Sequence, residues 1–214
     1  MRKVLRFLLW TAIIVGAIVG VARAVAIRWW TVPLNDPYLE ASIAPSLRGG
    51  DTIILWRLTK PKFGDLVVCP EPDAPERVVI GRIIAEVGDN VAVEGQTVQV
   101  NDRAAATEEA CNAPKFTVLH PTTRSEIEQG CSMEVLGGHL HMRGGVGGHG
   151  LMPRSVKTKV EPGKVFLLSD NRLLPYDSRD FGQVDVNTCT ETVVFRLVSA
   201  KGFFDVESRL TFIQ

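Results

Sequence analysis

The stretch from Val4 to Ile27, VLRFLLWTAIIVGAIVGVARAVAI, is apolar or neutral without interruption from Phe7 to Ala22. A bilayer crossing takes about 20 such residues at about 1.5 Å each, and Arg6 and Arg23 extend the span by snorkelling to the two surfaces. A buried helix of a soluble protein gives no reason for the flanking charges or for the Trp29-Trp30 pair that follows, whereas interfacial aromatics belong there. The basic start and the small residues at Ala22, Ala24 and Ala26 also suit a cleaved signal peptide. The tryptophan pair argues instead for one uncleaved anchor over residues 1–30. Arg2, Lys3 and Arg6 crowd the N-terminal flank, so that end is expected in the cytoplasm and residues 31–214 on the exported side.

Beyond the anchor, short apolar runs dominate: DTIILWRL, DLVVC, ERVVIGRIIAEV, NVAVEG, TVQVND, KVFLLS and TVVFRLVSAKGFF. Gly, Pro, Asn and Asp punctuate them every few residues, the pattern of a mainly β domain rather than a βαβ one. Glu94-Gly95-Gln96 reads as a hairpin turn between NVAV and TVQV. From about 101 to 159 the texture becomes polar, Gly-rich and irregular, and is read as a mobile insertion. Its His139, His141 and His149 raise a metal reading, but no carboxylate or cysteine stands at ligand spacing beside them, and no metal or other cofactor is expected.

Lysine plus arginine balances aspartate plus glutamate, 24 against 24, so no global basic field recruits nucleic acid. The four cysteines suit an exported compartment. Cys111 and Cys131 bracket a polar stretch, and Cys69 and Cys189 lie in strand-like runs. All three pairings remain open, as do free buried thiols.

Chemistry enters through ordered motifs. Ser42-Ile43-Ala44-Pro45-Ser46-Leu47 follows the anchor. Then come Gly64-Asp65, Gly81-Arg82-Ile83-Ile84 leading to Gly88-Asp89, and finally SDNRLLPYDSRDFGQV from Ser169. In this order the chain resembles the type I signal peptidases, membrane-bound serine-lysine proteases that remove signal peptides from exported proteins. The last segment is similar to that family's GDNR and DSR-x-x-G-x-V box, with Ser169 for the first glycine. The serine motif is similar to Ser-Met-x-Pro-Thr-Leu.

The resemblance implies a mainly β core with a smaller inserted lobe, which would hold the Gly-rich insertion and Cys111 to Cys131. It implies Ser42 as nucleophile and backbone oxyanion donor, with exported preproteins or extended peptides and the lipid bilayer as partners. It makes Arg82, Asp170, Asn171, Arg172, Asp177, Ser178 and Arg179 the polar floor of the site, with Asp177 and Arg179 an ion pair.

A serine hydroxyl must lose its proton as it attacks, and in this family a buried lysine takes it, its pKa lowered by an apolar setting. That lysine precedes an arginine, seven residues before the glycine of Gly-Asp. Counting back from Gly88 gives Gly81, followed by Arg82. A second register sets Glu76-Arg77-Val78-Val79 on the pattern and also lacks lysine. A guanidinium cannot serve as the base, because it stays protonated. Lys60, Lys62 and Lys164 have no spacing that directs them to Ser42. Glu40 stands where family members carry an oxyanion hydroxyl, and Pro175 where they often carry a serine near the lysine. Two functions stay open: an endopeptidase using another base, such as Glu40, His139 or His141, or a non-cleaving member that binds peptides.

Overall fold

The structure is a computed structural model describing residues 2–146 and 153–213. Helix α1 (Arg2–Val25) is apolar on every side, with mean hydropathy 2.3 over its best window and none of that window buried. Such a helix needs lipid or another apolar environment around it. The chain then turns directly into β1 (Ile27–Thr31), so Trp29 and Trp30 are strand residues paired with Ile54 and Ile53 of β2 (Thr52–Trp56). Between these strands lies the six-residue helix α2 (Pro37–Ser42).

The chain continues through β3 (Leu66–Glu71), β4 (Ala74–Ala85), β5 (Asn90–Glu94), β6 (Thr97–Val100) and β7 (Arg103–Ala104). Next come β8 (Ala106–Leu119), β9 (Glu126–Leu136), β10 (His139–Val146), β11 (Val156–Lys159) and β12 (Lys164–Leu168). The short helix α3 (Ser178–Phe181) precedes β13 (Val184–Asp185), β14 (Glu191–Val198) and β15 (Thr211–Phe212). The fold is mainly β, with one long apolar N-terminal helix.

Among the described residues the strands form three sheets: a main sheet in the order β1-β2-β14-β3-β4-β12-β13 with β15 beside β14, a second of β11-β5-β6-β7, and a third of β10-β9-β8. Strand β4 explains the main sheet. Its C-terminal half is buried on both faces, which is why RVVIGRIIA is nearly continuously apolar rather than alternating. Ile80 packs with Leu39, Ile43 and Leu55 on one face, while Val79 and Ile83 pack with Val67, Leu167 and Phe181 on the other. The Gly95 turn joins β5 to β6 with φ of 57°.

The stretch read as irregular is corrected by the structure: most of its described residues are strand. Strand β8 is exposed along much of its length, so its inward positions are too few to give an apolar alternation. The strand also breaks register between Ala110 and Lys115, where a bulge holds Cys111 and Pro114 and removes the need for a proline N–H. The Gly137-Gly138 turn, with φ of 57° and 85°, closes β9 onto β10. Disulfides join Cys69 of β3 to Cys189 in the loop before β14, and Cys111 to Cys131 across β8 and β9.

Candidate functional site

Helix α2 is short and begins on a well-made cap. Asp36 accepts hydrogen bonds from the Tyr38 and Leu39 amides at 3.1 and 3.0 Å, and Pro37 supplies the first helical residue. Leu39, Ile43 and Leu47 lie on one face and anchor the segment in the main core. Ser42 is therefore carried at the end of a fixed helix and is fully buried, 0% exposed. Its N–H belongs to the last turn of α2. Its hydroxyl donates to the Leu39 carbonyl at 3.0 Å. Among the described residues no lysine, histidine or carboxylate hydrogen-bonds to that hydroxyl.

The SDNR loop clamps this helix end from across the chain. The Asn171 amide donates to the Ser42 carbonyl at 3.0 Å, and its side chain donates to the Ala41 carbonyl at 2.9 Å. The same side chain accepts from the Leu173 and Leu174 amides, so Asn171 shapes its own loop while holding the serine. Asp170 binds Arg82 through two hydrogen bonds, at 3.0 and 2.9 Å, and accepts from Ser46 at 2.5 Å. Burial opposes its ionisation, and the Arg82 charge and hydrogen bonds outweigh that, holding the carboxyl below its usual range.

Asp177 is likewise buried and held low by Arg179, at 2.9 and 2.8 Å, and by backbone amides, again against the opposing effect of burial. It caps α3, and Asp180 reciprocates in a capping box. Ser178 Oγ accepts from the Leu167 amide, tying the second box to β12.

Arg172 leads to a residue that the motifs do not contain. Its guanidinium binds the Ser169 carbonyl and the carboxylate of Glu134 on β9. His141 Nε2 lies 3.2 Å from Glu134 and Arg143 Nε 3.4 Å. Burial pushes the Glu134 carboxyl up, but Arg172, His141 and Arg143 together bring it from 4.5 down to about 2. Sequence spacing set no carboxylate beside His141, and the structure corrects this: the Gly-Gly turn fixes the hairpin register and puts Glu134 opposite it. MEVL-GG-HLHM, read as a hairpin, was the signal that could have found the pair.

The other sequence-marked positions scatter. A Cβ on Gly81 would stand 3.0 Å from Leu167 Cβ, with the Leu168 backbone next, so that position faces apolar packing against β12. Glu40 is half-buried beside the Arg48-Gly49 turn and lines a cavity of about 270 Å³ with Ala44, Thr117 and Glu126. Pro175 is half-buried, Lys60 and Lys62 are exposed, and Lys164 of β12 stands opposite Asp185 of β13 in the sheet register. Arg77 binds Asp36 and Glu71. His139 packs against Phe63 with the rings tilted at 57°, and His149 lies outside the described residues.

An apolar N-terminal helix on a mainly β body, with a serine-bearing helix end clamped to an Asp-Asn-Arg loop, defines the class of this protein. The signal peptidase family, peptidase S26, matches residues 4–198, and the chain belongs to that family. A curated relative, signal peptidase I of Bacillus caldolyticus, is 49% identical over 47 residues, which are 22% of this chain and 26% of that protein. The match thus spans about a quarter of that relative's length. Among solved structures, signal peptidase I from Enterococcus faecalis V583 aligns with TM-score 0.38 and 20% identity, over 63% of this chain and 97% of the other.

Proposed function

We propose that this chain is a signal peptidase I-like serine endopeptidase that removes signal peptides from exported preproteins, with Ser42 as nucleophile. The observation that carries the reading is the clamp at Ser42: the Asn171 amide and side chain, from the SDNR loop, hold the helix end that bears the serine. Such fixation is what positions a nucleophile against a scissile carbonyl. Helix α1 supports a single-pass anchor in the lipid bilayer, and its basic N-terminal flank supports a body on the exported side. Residues 101–159 supply the inserted lobe in this reading, built on the β8-β9-β10 sheet.

The test is cleavage of a signal-peptide substrate by the purified full chain in detergent micelles. Cleavage by the native protein and none by Ser42→Ala supports the reading. Equal inertness of both, with activity gained by Gly81→Lys, identifies a member that binds peptides without cutting. Even the Cβ of that lysine would stand 3.0 Å from Leu167 Cβ, so the variant's fold is checked by circular dichroism first.

A further inference from the structure

The end of β10 occupies the ground beside Ser42. The Gly144 amide donates to the Asp170 carbonyl at 2.9 Å, and the Arg172 amide donates to the Gly144 carbonyl at 3.1 Å, making a parallel bridge between Gly144 and Asn171. Asn171 is the residue whose own amide holds the Ser42 carbonyl. Gly144 is wedged so closely that a Cβ there would come within 2.7 Å of Phe116, 3.0 Å of Pro45 and 3.1 Å of the Ala44 carbonyl. Gly145 has φ of 100°, and a Cβ on it would stand 2.8 Å from the Leu173 amide. The segment stays paired with β9, Gly144 opposite Cys131 and Val146 opposite Gly130, but the register shifts at Gly145, which side chains hold instead: Gln96 donates to the Gly145 carbonyl at 3.0 Å and accepts from Arg143 at 2.8 Å.

These main-chain bonds are of the kind an extended peptide forms when it adds to an exposed backbone edge. Resting on the reading of Ser42 as nucleophile, we propose that Gly144-Gly145 is an autoinhibitory plug. It fills the edge beside the serine with the chain's own backbone, and an extended peptide bearing small side chains displaces it. The glycines let the backbone approach this closely, and displacement breaks the Gln96 contact and the last β9-β10 pairs, none of which belongs to the main sheet.

Accessibility tests this apart from catalysis. The described cysteines are all in disulfides, so Ser42→Cys in the full chain introduces a single thiol for a maleimide probe. The expected labelling is about tenfold or more slower than that of Ser125→Cys on the exposed β8-β9 turn, because reaction waits on local opening. Adding Gly144→Val, or the milder Gln96→Ala, is expected to speed labelling of Ser42→Cys several-fold. Labelling of Ser42→Cys as fast as Ser125→Cys overturns the plug, and so does an unchanged rate in both double variants. In chains that keep Ser42, Gln96→Ala is expected to raise cleavage. Faster labelling with no cleavage by either chain supports the plug and rejects the protease reading.

Discussion

Glu134 is the residue whose titration is most open to measurement. Its pKa in the folded protein, about 2, lies below the ordinary 4.5. The stability it contributes is therefore complete above about pH 5 and is lost as pH falls toward about 2. The shift corresponds to on the order of 3 kcal/mol. Glu134→Gln leaves Arg172 and Arg143 without their carboxylate, and is expected to cost about 3–5 kcal/mol at neutral pH. Urea unfolding of both proteins from pH 7 to 2 is the measurement, and the gap between them should narrow on the acid side. The exposed pair Lys115–Glu128 makes the contrast. Lys115→Ala is expected to leave the melting temperature unchanged, because water and salt screen that contact.

Among the elements, α2 owes its place to its cap and its tertiary contacts rather than to its own length. A six-residue helix is too short to persist on propensity, so its cap and its buried Leu39 face decide whether Ser42 is presented at all. Asp36→Ala removes the one oxygen that accepts from two amides, together with the Arg77 ion pair, and is expected to cost about 1–2 kcal/mol in thermal unfolding. Asp36→Asn keeps an acceptor for the amides and should recover most of that loss. If the two variants melt alike, the Arg77 contact matters and the cap does not. The β9-β10 hairpin shows the reverse dependence. Its turn is local and strong, yet its burial comes from Arg172, which lies 38 residues from Glu134.

At the scale of the whole molecule, the Cys69–Cys189 bridge closes a sequence separation of 120 residues and staples β3 to the loop that leads into β14. Replacing both with serine is expected to cost about 2–5 kcal/mol, measured by chemical denaturation of the full chain. The apolar N-terminal helix and the strands of the main sheet could be read in the sequence because their surroundings are uniform: α1 is apolar on every side, and the C-terminal half of β4 is buried on both faces. The β8-β9-β10 sheet could not, because β8 presents mostly polar residues to water and bulges at Cys111 to Pro114. The site divides in the same way. The Asp177–Arg179 pair, implied by the resemblance of the sequence, is local: it and the capping box span four residues, so no distant partner decides it. The burial of Ser42, the Asn171 clamp, the Glu134 cluster, the choice among disulfide pairings and the seat of Gly144 were decided only by the tertiary structure. Each brings together groups far apart in the chain, and packing, not local propensity, selects such partners.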